Sequence, residues 1–161
     1  MLKITKSKEK LSVPVEECDA DVNHKTASKM MKFFGRNGKD WLGLASNQVG
    51  LGGRVIVIRY KGSFRAIINP VLTDKSESMN LSVESCLSVP NKQVVVERHF
   101  AVTLSSYNFI DMYLTGQDSF VVQHEIDHLD GILMIDKKVK NNLSADEMIR
   151  LNDNYLKDTS K

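Results

Sequence analysis

The fold and the chemistry of this chain are decided by one stretch, QHEIDHLDG at residues 123–131. It places His124 and His128 four residues apart, with Glu125 directly after the first histidine. Residues four apart share one face of a helix, so both imidazoles can bind the same metal ion. Glu125 would then lie close enough to exchange protons with a water molecule on that ion. The spacing therefore predicts metal-assisted hydrolysis of an amide.

Two histidines need a third protein ligand, and three positions compete for that role. One arrangement requires a histidine six residues after His128, but Met134 stands there and is a poor ligand for a hard ion. Glu147 has the spacing of a ligand on the next helix. The thiolate of Cys86 would be a strong ligand for Zn²⁺ or Fe²⁺. The residues alone leave Glu147 and Cys86 open, although a capping box that begins at Ser144 gives the glutamate a local role.

Three ordered segments distinguish these two candidates by resemblance. The segments are GLASNQ at residues 43–48, ESCLS at 84–88 and HEIDHLDG at 124–131. They resemble the motifs GxGxAAxQ, EGCxS and HExDHxxG of peptide deformylases, in the same order along the chain. Shorter matches at residues 11–15, 68–70 and 132–136 extend the resemblance over most of the sequence.

The chain departs from these motifs at three positions. Trp41 replaces the first glycine of the first motif, Ser46 its second alanine, and Ser85 the glycine of the second motif. None of the three is a ligand or a proton carrier, so the chemistry implied by the resemblance is retained. The departures bear instead on the shape of the cleft rim and on the backbone before Cys86.

The resemblance implies a catalytic role for several side chains. The implied metal ligands are Cys86, His124 and His128. They would hold one divalent ion, Fe²⁺ or Zn²⁺, with a fourth position left for water. Glu125 would take a proton from that water and pass it to the leaving amine. The side-chain amide of Gln48 and the backbone N–H of Leu87 would stabilise the oxyanion.

The resemblance also implies how a substrate would be held. An extended peptide would pair with Leu42 and Gly43 in the manner of an added strand. A methionine side chain would enter an apolar pocket to which Phe120 and Val121 contribute, together with the Leu87 side chain. The alternative role for these two helix residues is plain helix core. Asp127 would orient a ligand or the backbone rather than bind the ion.

Composition limits the class of protein. A length of 161 residues predicts a single catalytic domain, residues 1–161, with a core of its own. A net charge of +2 and the lack of a basic stripe argue against direct nucleic-acid binding, and no apolar run is long enough to span a membrane. Residues 1–10 lack the apolar core of a secretory signal. We expect a monomer in the bacterial cytoplasm, in the cytoplasm of a host cell if the chain is encoded by a virus, or in an organelle.

The apolar periodicity predicts both helices and strands. With the resemblance, it leads us to expect an α+β fold with short antiparallel β-sheets packed around a central HExDH helix. One helix is predicted over Asn23–Phe34, and the metal-binding helix is predicted to begin near Asp118 or Ser119 and to end before Gly131. A last helix is predicted from Ser144 to about residue 156. The predicted strands are 54–59, 64–68, 93–97 and 100–107, the first two of which form a hairpin.

The function expected from the resemblance is removal of the N-terminal formyl group from formyl-methionyl nascent polypeptides. The nascent chain is then the main partner, and the ribosome is a second candidate. A small thermolysin-like metallopeptidase that uses Glu147 is the alternative enzyme. A non-catalytic metal-binding or interaction domain is the third hypothesis, but such a domain would need neither Glu125 nor Gln48.

Overall fold

The computed structural model describes residues 2–139 and places the histidine-bearing helix at the centre of the fold. Within these residues the α-helices are α1 (Lys8–Leu11), α2 (Ala20–Asn37) and α3 (Gly116–Leu129). The strands are β1 (Gly43–Ala45), β2 (Val55–Tyr60), β3 (Ser63–Ile68), β4 (Val71–Lys75), β5 (Met79–Cys86), β6 (Val89–His99), β7 (Ala101–Ser106) and β8 (Phe109–Thr115). Short 3₁₀ helices cover Ser46–Val49 and Met134–Asp136.

The strands form three small sheets, and all pairs are antiparallel. Their orders are β1-β2-β3, β4-β7-β8 and β5-β6. Lys61 and Gly62 form the two-residue turn between β2 and β3, and both have positive φ angles of 48° and 77°. This combination is typical of the turn whose twist matches a β-hairpin. The predicted α+β fold with short antiparallel sheets is therefore confirmed.

The central strand β2 of the sheet β1-β2-β3 is buried on both faces over residues 55–58, which explains its uninterrupted apolar run. Ile56 and Ile58 pack toward Val122 and Ile126 of α3. The alternate residues of β2 pack in a second cluster with Met30 and other residues of α2. A strand covered on both faces has no polar side to alternate with. This packing places the edge strand β1 against α3, where the functional motifs meet.

Both longer helices begin earlier than predicted, and α2 also ends three residues later than predicted, at Asn37. α2 begins three residues earlier than predicted, because the Asp19 side chain accepts a hydrogen bond from the Val22 N–H at 2.8 Å. The predicted start of α3 near Asp118 or Ser119 is wrong. The helix begins at Gly116, its N-cap makes no side-chain hydrogen bond, and the Ser119 hydroxyl donates instead to the His99 carbonyl at 2.9 Å. Ser119 has the side chain of an N-cap residue, but that side chain forms a hydrogen bond with another element instead of capping α3.

The strand predictions were partly right. β2, β3 and β7 lie close to the predicted positions, whereas the predicted strand 93–97 is only the middle of β6. β1, β4, β5 and β8 were not predicted. The predicted last helix from Ser144 lies outside the described residues. No helix among residues 2–139 is long and apolar enough to span a membrane.

Candidate active site

The structure brings together three side chains that can bind a metal ion. Cys86 is the last residue of β5, and His124 and His128 lie one turn apart on α3. One ligand atom from each residue lies within 4.8 Å of the others. The Cys86 Sγ is 3.2 Å from the His128 Nε2. The two elements thus converge on one point, although the cysteine is far from both histidines in sequence.

The donor set fits a divalent ion. The His124 Nδ1 lies 2.9 Å from the Glu84 Oε2, so its Nε2 is the nitrogen left to face the cysteine sulfur. A histidine that donates to a carboxylate through one nitrogen and binds metal through the other is a common arrangement in metal sites. One thiolate and two imidazoles suit both Zn²⁺ and Fe²⁺. The residues present therefore support a metal cofactor, and the chemistry does not distinguish between these ions.

The protonation of the ligand histidines follows from burial and from their neighbours. Burial lowers the pKa of His128 to about 3, so its imidazole is neutral, as metal binding requires. Burial also opposes charge on His124, but contacts with Cys86 and Glu84 outweigh it and raise its pKa to about 10. A metal ion would therefore compete with a proton for the His124 Nε2.

Glu84 and Arg98 form a buried ion pair behind the ligands. The Arg98 Nε donates to the Glu84 Oε1 at 2.7 Å, and its Nη2 donates to the Oε2 at 2.9 Å. The Arg98 Nη1 also contacts Asp127, to which Lys137 donates at 3.1 Å. Burial alone would raise the pKa of Glu84, but hydrogen bonds from His124 and Arg98 lower it to about 2. Glu84 therefore stays ionised while it orients the imidazole.

Glu125 is buried beside the three candidate ligands Cys86, His124 and His128. Its side chain is 4% exposed, and its Oε2 has no hydrogen-bond partner among the described residues. Burial raises its pKa to about 7, an effect that the positive charge of His124 reduces. A Cβ on Gly43 would lie only 2.3 Å from the Glu125 Oε1, so this glycine provides the space for the carboxylate. A carboxyl group with a pKa near neutrality can both accept and donate a proton.

Gln48 is held with its amide NH₂ toward the site. Its Oε1 accepts a hydrogen bond from the Ala45 N–H at 2.8 Å, which fixes the orientation of the side chain. The Nε2 then lies 3.5 Å from the Cys86 Sγ and 3.2 Å from the Ser88 Oγ. The side chain is 2% exposed, so this donor is buried and rigidly oriented. Such a donor suits stabilisation of an oxyanion.

A cleft of about 410 Å³ opens in front of these residues. The residues named in the sequence analysis that line it are Trp41, Leu42, Gly43, Gln48, Ser85, Cys86, Leu87, Phe120, Val121, His124 and Glu125. Phe120 is only 4% exposed, so it belongs both to the cleft wall and to the interior of the protein. His128 is not among the residues that line the cleft. The roles of these residues in substrate binding remain predictions.

The structure accounts for two of the three departures from the motifs. The buried Ser46 hydroxyl donates to the Gly53 carbonyl at 2.6 Å, so the added polar group has a partner. Ser85 is exposed in β5, and its φ angle is not in the left-handed region that favours glycine. The backbone before Cys86 therefore accepts a side chain without strain. Trp41 lines the cleft and also packs on Phe33 and Phe34.

Sequence reasoning missed Arg98 and did not assign a role to Glu84. The signal that could have identified Arg98 is its position shortly after the valine run of VVVERHF at residues 94–100. An arginine that is buried there needs an acidic partner. The alternative ligand Glu147 lies outside the described residues.

Comparison with known proteins agrees with this geometry. A family model described as polypeptide deformylase matches residues 3–143. The peptide deformylase of Dictyoglomus thermophilum is 36% identical over 149 residues, which cover 89% of this chain and 90% of that protein. That of Maricaulis maris is 34% identical over 135 residues, or 78% and 76% of the two chains. The solved peptide deformylase of Plasmodium falciparum superposes with a TM-score of 0.74 at 31% identity, covering 94% of each chain. On sequence and on structure alike, the chain belongs to the peptide deformylase family.

Proposed function

We propose that this protein removes the N-terminal formyl group from formyl-methionyl nascent polypeptides, with a divalent ion held by Cys86, His124 and His128. The observation that supports it most directly is the position of Glu125. A buried carboxyl group, one oxygen of which has no hydrogen-bond partner within residues 2–139, lies beside three side chains that could hold a metal ion and borders the cleft. The metal, Fe²⁺ or Zn²⁺, and an encounter with nascent chains at the ribosome are parts of the proposal.

A divalent ion at these ligands would supply Lewis acidity and lower the pKa of a water molecule to near neutrality. The protein supplies the rest of the chemistry. Glu125 accepts the proton of the attacking water and returns it to the amine of methionine as the C–N bond breaks. The Gln48 amide and the Leu87 N–H donate to the formyl oxygen as it becomes negative.

The peptide lies extended along Gly43 of the edge strand β1 and Leu42, which directly precedes that strand. The methionine side chain enters the apolar part of the cleft beside Phe120 and Val121. These contacts hold the formyl group next to Glu125. Products are formate and a peptide with a free N-terminal amine.

The test is formate release from formyl-Met-Ala-Ser by the metal-loaded protein. We expect release from the formyl peptide, none from acetyl-Met-Ala-Ser, and no internal cleavage of casein. A formyl peptide with a β-branched first residue should react more slowly, because branching at Cβ does not fit a pocket for an unbranched side chain. Internal cleavage without formate release would reject the proposal.

The ligand set is tested separately by metal content. We expect Cys86→Ala to lose the ion, whereas Cys18→Ala, which alters the other free cysteine, should keep it. Glu147→Ala should also keep it. Loss of metal from the Glu147 variant with full retention in the Cys86 variant would support the thermolysin-like alternative instead.

A further inference from the structure

Trp41 distinguishes this cleft from the family motif, which has glycine at the same place. It is the only tryptophan in the chain. The indole is partly exposed and lines the cleft beside Leu42, whose side chain is 47% exposed. We propose that Trp41 is a specificity-determining residue that selects formyl peptides with an aromatic or long apolar side chain at the second or third position. This inference rests on the proposed function.

The path of the peptide brings these positions to Trp41. The formyl end lies near Gly43, because Glu125 packs against that residue. Beyond Gly43, the direction toward Gln48 is closed, since the Gln48 amide contacts Cys86 and Ser88. The peptide must therefore leave in the other direction. Trp41 precedes Gly43 by two residues, or about 7 Å of extended chain, which matches the position of the residues that follow methionine.

The loop that carries Trp41 is held in place before any substrate binds. The Arg59 Nε donates to the Trp41 carbonyl at 3.1 Å. Its Nη2 donates to the carbonyls of Gly38 and Lys39 at 2.7 and 3.1 Å. A surface that is ordered in advance costs little conformational entropy on binding. The indole can therefore act as a fixed wall of the cleft.

Packing fixes the ring itself as well as its loop. Its centre lies 5.7 Å from that of Phe33 and 5.8 Å from that of Phe34. The Arg59 guanidinium lies 5.7 Å from the centre of the Phe34 ring and completes the cluster. One side of the indole is thus anchored to α2, and the remaining exposed part borders the cleft. That exposed part offers π surface and apolar area to a substrate.

No lysine or arginine is among the described residues that line the cleft. Asp40, next to Trp41, is the only exposed carboxylate among the described lining residues, and it offers charge rather than apolar area. Selectivity for an apolar residue after methionine would therefore come from contact with Trp41 and Leu42. An aromatic contact of this kind corresponds to about a two- to tenfold preference in rate or affinity. Serine or alanine at the same substrate position cannot make the contact.

The kinetic test compares formyl-Met-Ala-Ser, formyl-Met-Phe-Ser and formyl-Met-Ala-Phe as substrates. In the unaltered protein, kcat/KM should be about two- to tenfold higher for one or both phenylalanine peptides. Trp41→Leu, which keeps apolar volume and removes the ring, should bring the ratio close to one. Trp41→Phe should retain most of it. Tyr113→Leu alters an aromatic that is 70% exposed on β8, away from the cleft, and should leave all rates unchanged.

A spectroscopic test uses the single tryptophan and needs no catalysis. The unformylated products Met-Phe-Ser and Met-Ala-Ser are titrated into the protein while the indole emission is recorded. We expect both peptides to change the emission, with the phenylalanine peptide saturating at a lower concentration. Unchanged emission, equal rates for the three substrates, or a preference that survives in Trp41→Leu would overturn the inference. If no formyl peptide releases formate, the proposed function fails and the titration alone decides the role of Trp41.

Discussion

Replacement of Arg98 by methionine tests whether the ion pair next to the candidate metal ligands stabilises the fold and the metal site. Arg98 is 1% exposed and lies between Glu84 of β5 and Asp127 of α3. Methionine fills much of the same volume but leaves the buried Glu84 and the partly buried Asp127 without this cation. Breaking a buried ion pair by removal of one partner costs about 3–5 kcal/mol. Lys137 still contacts Asp127, so the loss should come mainly from Glu84.

That cost should be visible in unfolding and in metal binding. In a protein of this size, each kcal/mol corresponds to roughly 2–4 °C in Tm, so the metal-free variant should unfold roughly 6–20 °C lower. Glu84 would also lose its fixed position against the His124 Nδ1. Disturbing such a partner of a ligand typically weakens metal binding by about 10- to 100-fold.

The assay is thermal unfolding of the metal-free protein, followed by competition for the metal with a chelator. Lys8→Met is the matched control, because the Lys8 and Asp136 side chains of its ion pair are 62% and 40% exposed. Exposed pairs contribute at most about 1 kcal/mol, so this variant should lower Tm by no more than roughly 4 °C. Should Arg98→Met unfold within a degree of the parent and bind metal equally well, the buried pair would have no role in the site.

Three further substitutions test the catalytic residues and their surroundings. Glu125→Gln should keep the metal and lose about 10²- to 10⁴-fold in kcat, as expected for loss of a general base, and near-normal turnover would exclude that role. Gly43→Ala should sharply reduce kcat, because the new Cβ would collide with the Glu125 carboxylate. The reduction should be smaller in a Glu125→Asp background, where the shorter side chain leaves room; an equal reduction would show that the collision is not the cause. Ser85→Gly should change kcat/KM by less than about tenfold, since the serine backbone is unstrained, and a much larger gain would show that serine impairs the enzyme.

The family and the fold class were predictable because they are indicated by the spacing of residues within single helices, strands and motifs. His124 and His128 lie one helical turn apart, and this relationship exists within a single element. The run of Val and Ile residues in β2 likewise indicates a strand without knowledge of its neighbours. The comparison with known proteins confirmed the resemblance that the three motifs suggested.

The supporting residues were not predictable, because their partners lie far away in the sequence. Arg98 contacts Glu84 across the β5-β6 hairpin and Asp127 on α3. No pattern in the neighbouring sequence predicts either contact. The start of α3 was missed for a related reason, since the hydroxyl of Ser119 bonds to another element instead of capping its own helix. The proximity of Gly43 to Glu125 also depends on how β1 packs against α3.

β5 and β6 form a sheet of their own, and this affects which part of the molecule unfolds locally. A two-stranded hairpin has little stability of its own in water. This hairpin is attached to α3 through Arg98 and through the side chains around Cys86, and the chain after Met134 returns to pair Lys138 with Val96. A metal ion would add a cross-link at one end of the hairpin. Amide hydrogen exchange over residues 79–99 should therefore slow when metal binds, while exchange in β2 and β3 should change little.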